Sequence, residues 1–222
     1  MSIIASTKQA PRELIPADNY IARCYQMVQI GTVVENIKGD IKILSKVRIG
    51  WELPTELKVF KEENGEHPLV VSEEYTLSLA DSSNLRKMLV SWRGKDFTVE
   101  EAEAFDLTVL LGQPCMINII HKPAKSDPSK IYANIGSISR VPKGMAVPKA
   151  INPIFELSYD QFDFNKYNTL PDFIKTKMAT SVEYKALTAI EETGHEDGLP
   201  APARDKNGNI SQPVDNADDL PF

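Results

Sequence analysis

Positive side chains at regular spacing are the first sign of chemistry in this chain. Lys42, Lys46 and Arg48 share one phase of a stretch that alternates with period two. Ile41, Ile43, Val47, Ile49, Trp51 and Leu53 take the other phase, with Ser45 among them. Such a strand buries one face and wets the other, which puts three cations on the wet face. A second basic group is Lys122, Lys125 and Lys130, followed by Arg140 and Lys143. A third is Arg86, Lys87 and Arg93 with Lys95. Fixed cations neutralise phosphates, and flat rings beside them stack on bases. Tyr132 shares the polar phase of its strand with Asn134 and is the first choice for such a ring, with Tyr25 second. Trp51, Tyr75 and Trp92 fall on apolar phases and are expected in the core.

Chemistry of the opposite sign closes the sequence. Asp218, Asp219, Leu220, Pro221 and Phe222 put two carboxylates ahead of an apolar hook. Five residues cannot build a core, and Pro221 has no N–H to donate. The hook suits insertion into another protein, Phe222 in a pocket and the carboxylates on Lys or Arg at its rim.

The elements that must position these groups follow from periodicity and punctuation. A first strand is expected over Tyr20 to Gly31 and the alternating second strand over Ile41 to Leu53, with Asn36 and a Gly39-Asp40 turn signal between them. A polar connection with Pro54, Gly65 and Pro68 leads to a third strand over Leu69 to Leu79. Leu85, Met88, Leu89 and Trp92 then have the spacing of one helical face, capped near Asp81, Ser82 or Ser83 and ended by Gly94. Thr98 and Glu101 have capping-box spacing, which starts a short second helix. Two further strands, near 115–120 and 131–140, pair across the basic loop 121–130. Residues 141–168 are read as an extended segment, followed by helices from Asp172 and Ser181. From Gly194 on, apolar periodicity is lost and disorder is expected.

Three strands, a helical insertion and two strands is the order of a five-stranded OB barrel. The expected fold is therefore mainly β, with the helical segment between strands three and four, a C-terminal helical extension and a disordered acidic tail. The expected divisions are an N-terminal arm (1–16), an OB domain (17–141), an extended and helical segment packed on the barrel (142–190) and an acidic tail with its tip (191–222).

Charge follows the same divisions. Of the net charge of −6, all resides in residues 191–222, with eight acids against two bases. The other 190 residues balance, and within them residues 107–150 carry six bases against one acid. No apolar run approaches the roughly 18 residues of a membrane span. The N-terminus lacks a signal-peptide pattern, so a cytoplasmic protein with no membrane association is expected. Cys24 and Cys115, with His67, His121 and His195, make neither a disulfide framework nor a recognisable metal site. No cofactor is implied. There is no phosphate-cradling Gly-rich motif with Lys, and the Glu pairs are adjacent residues that face apart on strands, so an enzyme is not expected.

The acidic arm ending Asp218-Asp219-Leu220-Pro221-Phe222 resembles the tip of bacterial single-stranded DNA-binding proteins, which recruits replication and repair enzymes. The body is more similar to phage-encoded single-stranded DNA-binding proteins with an elaborated OB fold. The strings that carry this are Asn84-Leu85-Arg86-Lys87-Met88-Leu89, Trp92-Arg93-Gly94, Phe105-Asp106-Leu107, Val141-Pro142-Lys143-Gly144 and Leu170-Pro171-Asp172-Phe173-Ile174. The resemblance implies sequence-independent binding and protection of single-stranded DNA during phage DNA replication and recombination, in the cytoplasm of a bacterial host. Self-association into a homo-oligomer is left open by the sequence. The alternative is an adaptor that displays the tip without binding DNA; a nucleic-acid-processing enzyme ranks behind both.

Overall fold

The computed structural model describes residues 14–60, 62–124 and 127–193. Strand β1 (Asn19–Ile37) and strand β2 (Asp40–Val59) form a hairpin of 19 and 20 residues. Both strands run further than the sequence pattern indicated. The turn between them takes only Lys38 and Gly39, with φ of 56° and 98°. Two successive positive φ values match the right-handed twist of the flanking strands, and the Gly supplies one of them without strain. The Asn36 side chain accepts the Gly39 N–H at 2.8 Å, so the expected turn residues tighten the hairpin instead of ending its strands early. At the other end β2 continues past Pro54, where the ladder to the next strand is shifted between Leu53 and Leu57. The irregularity accommodates a residue with no N–H to give.

Strand β3 (Glu66–Thr76) pairs with β2, and strands β4 (Pro114–Pro123) and β5 (Ile131–Ser139) form a second hairpin. Along the sheet the order is β3-β2-β1-β4-β5, all antiparallel. A short strand β6 (Phe155–Leu157), not expected from sequence, pairs parallel with Gln26–Val28 of β1. The sheet is not closed: β3 and β5, at its two ends, share no ladder among the described residues.

Between β3 and β4 lie helix α1 (Asn84–Arg93) and helix α2 (Val99–Glu103). Their ends are those expected. The Ser83 side chain caps α1, Gly94 closes it in a left-handed conformation, and Thr98 with Glu101 makes a reciprocal capping box. A 3-10 turn (Leu107–Leu110) leads into β4. The apolar face of α1 (Leu85, Met88, Leu89 and Trp92) packs on the inner face of the sheet with Ile49, Trp51, Tyr75, Ile117 and Ile119. The Trp51 and Trp92 rings are 6.0 Å apart, and Trp92 donates to the Pro114 carbonyl at 2.9 Å. Trp51, Tyr75 and Trp92 are thus core residues, as their phases required.

The segment after β5 wraps the outer face of β1. Arg23 donates to the carbonyls of Gly112 and Pro148, at 2.8 and 2.7 Å. Glu52, fully buried, accepts the backbone N–H groups of Ile151 and Asn152 at 3.0 and 2.7 Å. Helix α3 (Phe164–Thr169) begins inside the stretch read as extended, and helix α4 (Asp172–Met178) follows. Tyr167, Leu170, Ile174 and Met178 bury Val28, Ile30 and Val33 in a second core. At Gly31, whose φ is 93°, a side chain would lie 2.7 Å from Ser181, so the bare backbone lets the start of helix α5 (Val182–Thr193) approach. The α5 residue Glu183 accepts both the N–H and the hydroxyl of Thr32, at 2.6 and 2.7 Å. Burial works against the charge of Glu183, and the Thr32 bonds outweigh it, so its pKa is lowered. No helix among the described residues is long and apolar enough to cross a membrane.

Candidate functional site

Arg48, Lys122 and Tyr132 come from three different strands and line one groove of about 400 Å³. Its walls are β3 from Val70 to Glu73 and β5 from Tyr132 to Ile135. The lead-in residues Leu14 and Ile15 border it, held by a 2.8 Å contact between the His121 ring and the Ile15 carbonyl. The positions follow from register. Lys122 and Tyr132 are directly opposite across the β4–β5 ladder, so they share a face, with Asn134 two residues on. Tyr132 is 44% exposed, enough to offer a ring to a ligand. On β2, Arg48 is opposite Glu74 of β3 but donates to the Ser72 hydroxyl at 2.7 Å. Its guanidinium carbon lies 5.0 Å from the centroid of the Phe173 ring, a cation–π arrangement. Burial pulls the Arg48 pKa down, and the charges of Glu74 and Tyr25 work against that fall. Arginine keeps its charge in proteins. Neither Arg48 nor Lys122 makes an ion pair among the described residues. The carboxylate in the groove, Glu73, accepts the Tyr75 hydroxyl at 2.8 Å.

A larger groove, about 670 Å³, lies farther along the same two strands and shares Glu73 and Ile135 with the first. It is bounded by β3 from Glu73 to Thr76, β5 from Ile135 to Ile138, the tip residue Ile37 and the α1 residues Asn84 and Lys87. Lys87 is exposed and makes no ion pair among the described residues. The unpaired edges of β3 and β5 thus border two grooves, one with Arg48, Lys122 and a ring, the other mixing hydroxyl and amide side chains with Lys46, Lys87, Glu73 and Glu74.

Of the other expected site residues, Lys46 borders the larger groove but is held in an ion cluster, and the rest are placed elsewhere or fall outside the described residues. Lys46 is the main correction. It was expected on a wet face, yet it is 9% exposed. Its ammonium lies 2.8 Å from Glu35 and 3.8 Å from Glu74. Lys177 of α4 bonds the same two carboxylates at 2.6 Å each. Two lysines and two glutamates therefore neutralise one another on the outer face of the sheet. Hydrogen bonds from Lys177 and Lys46 hold the Glu35 carboxyl below its usual range. For Lys177, burial works against the charge, but the bonds to Glu35 and Glu74 raise its pKa overall. Alternation in β2 shows that Lys46 leaves the core; it cannot show that α4 covers the face it joins.

Arg86 and Arg93 are also committed. Arg86 pairs with Asp81 and Asp96 and donates to the Leu79 carbonyl. Arg93 pairs with Glu101 at 2.8 Å and lies over the Phe97 ring at 4.1 Å. Both fasten the helical insertion, and Lys95 shares Glu101. Tyr25 sits at the bulge between Cys24 and Gln26, over Gly50 and outside both grooves. Burial, and then the charge of Glu52, raises its pKa. Lys130 pairs with Asp127 at 3.4 Å in the β4–β5 loop. Lys42, Arg140 and Lys143 are exposed and lie outside both grooves. Lys125 and the tip Asp218, Asp219, Leu220, Pro221 and Phe222 fall outside the described residues.

Ser72 and Asn134 are groove residues that sequence reading left unassigned. Their signal was present in part, since both occupy the polar phase of their strands. Cys24 and Cys115 are buried and free, with burial pushing the Cys24 thiol up to about 12. No group of acids, His and Cys able to hold a metal occurs among the described residues. Comparison of the chain with protein-family models, with curated proteins and with solved structures finds no match to any of them.

Proposed function

We propose that this chain binds single-stranded DNA without regard to sequence, across the outer ends of β3 and β5. The observation that carries the reading is the convergence of Arg48, Lys122 and Tyr132 in one groove. A single strand offers phosphates to cations and base faces to a ring, and needs no base-specific partner. The order β3-β2-β1-β4-β5 with helices inserted between β3 and β4 supports an OB-type barrel. Such a barrel would bring β3 beside β5, and both strands line the same two grooves. OB folds use their second and third strands and the loop between the fourth and fifth for oligonucleotides. In this reading the protein is phage-encoded and protects single strands in the host cytoplasm during replication and recombination. The tip Asp218 to Phe222 recruits replication or repair proteins.

The test is a fluorescence titration of the full chain with oligo-dT at two salt concentrations. Binding should weaken with salt, each phosphate neutralised contributing a slope of about −0.7 for a single strand. Tyr132→Ala should cost about 1–3 kcal/mol, which is roughly five- to 150-fold in affinity. No binding at low salt would overturn the proposal.

A further inference from the structure

Arg48 has an aromatic neighbour that lies beyond the groove it lines. The Phe173 ring of α4 stands 5.0 Å from its guanidinium carbon, centroid to carbon. Arg48 takes one face of that ring, and Phe173 still keeps 60% of its surface exposed. Among the described residues three aromatic side chains are exposed: Phe60, Tyr132 and Phe173. Tyr132 lines the groove with Arg48, and Phe173 packs on Arg48 from the side of α4. Two of the three exposed rings therefore meet at one arginine. Phe60 follows the end of β2, outside both grooves.

The helix fixes the ring in place. Ile174 and Met178, one turn apart, are buried in the second core. Lys177 is one turn on from Phe173, so the two side chains are neighbours on the helix surface. Lys177 bonds Glu74, the β3 residue directly opposite Arg48. Anchoring Lys177 on Glu74 thus sets Phe173 over Arg48. Arg48 in turn donates to the Ser72 hydroxyl in the groove wall, which ties the ring, the cation and the groove together. A ring already held in place loses little freedom when a ligand stacks on it.

We propose that Phe173 is a second stacking platform, on which one base of the single strand lies while Arg48 holds a neighbouring phosphate. This assignment rests on the proposed function and extends its groove from β3 and β5 onto the C-terminal helices. The chemistry points to a nucleobase. The site offers an exposed flat ring beside a cation that makes no ion pair among the described residues. Each nucleotide carries a π-face for the ring and a phosphate for the cation, and every base has such a face, so stacking here adds affinity without sequence preference.

Oligo-dT titration of two full-length variants tests the assignment. Phe173→Leu keeps an apolar side chain but loses the flat ring, and should weaken binding about five- to 150-fold. Its salt slope should stay that of the wild type, because no phosphate contact is lost. Phe173→Trp restores a flat ring and should recover the affinity lost in Phe173→Leu. Its new indole should be quenched as oligo-dT is added, over the steady emission of the buried Trp51 and Trp92. Wild-type affinity in Phe173→Leu, folded by circular dichroism, would overturn the assignment. So would Phe173→Trp emission that stays constant while oligo-dT binds. A salt slope shallower by about 0.7 in Phe173→Leu would overturn it too, since the ring would then act only by positioning Arg48 on its phosphate. In all three cases the wild type still binds and the proposed function stands. A wild type that binds no oligo-dT at low salt removes both.

Discussion

Replacing Lys46 by Met separates a structural lysine from a DNA-binding one. Lys46 is buried between Glu35 and Glu74, and its loss leaves two carboxylates with Lys177 as their one cation. Removing one partner from a buried ion pair typically costs 3–5 kcal/mol. The side chains of Glu35 and Glu74 keep 24% and 19% of their exposure, so water screens part of the excess charge. A loss of about 2–3 kcal/mol is the expected result, with the Met side chain recovering some packing. At this chain length 1 kcal/mol moves Tm by roughly 2–4 °C, so a fall of about 4–12 °C is expected. Differential scanning calorimetry measures it. The same variant, assayed below its melting range, should keep the wild-type salt slope for oligo-dT. Lys122→Ala should show the converse, near-wild-type Tm and a slope shallower by about 0.7. The reasoning is refuted if Lys46→Met leaves Tm unchanged and flattens the salt slope, because Lys46 would then be reaching a phosphate.

Further outcomes follow from the same contacts. Glu52→Ala removes the buried acceptor of the Ile151 and Asn152 N–H groups and should free the 148–152 strap; limited proteolysis should cut there first. Retained resistance of that strap would show that Arg23 alone holds it. The ion cluster sets a pH window by the signs of its shifts. Glu35 is lowered from 4.5, so its contribution is present above that value and is lost as pH falls through the depressed folded pKa. Lys177 is raised from 10.5, so its contribution is present below that value and is lost as pH rises through the elevated one. Chemical denaturation should therefore show this contribution flat between about 4.5 and 10.5 in the wild type. In Lys177→Met the acid loss should become smaller and the alkaline loss should disappear.

Much of the architecture was legible because it rests on local rules. The α1 cap at Ser83, the Gly94 stop and the Thr98–Glu101 box are contacts between residues a few positions apart, and residue type alone specifies them. The inner stripe of β2 and the burial of Trp51, Tyr75 and Trp92 follow from period-two and period-3.6 phases. Strand ends were less legible. Asn36 and Gly39 read as breakers, yet a two-residue turn of positive φ lets both strands run up to it. Strand β6 was missed because three residues carry too short a pattern to stand out from an extended segment.

The candidate site divides along the same line. Residue types and alternation by themselves determined which face of its strand carries Lys46, Arg48 and Tyr132, whereas Lys122 was read as a loop residue and only the structure puts it on β4. They also placed all of the net charge in the last 32 residues, since composition needs no fold to express it. Only tertiary structure decided which of those cations are available. Lys177 is more than a hundred residues from Lys46 in sequence, and Phe173 is as far from Arg48. Nothing in the periodicity of β2 reports that α4 will lie over one part of its outer face and leave Arg48 at the edge of a groove. A strand pattern encodes the direction in which a side chain leaves the sheet. What it meets there depends on long-range packing, in this chain the burial of Val28, Ile30 and Val33 under the C-terminal helices.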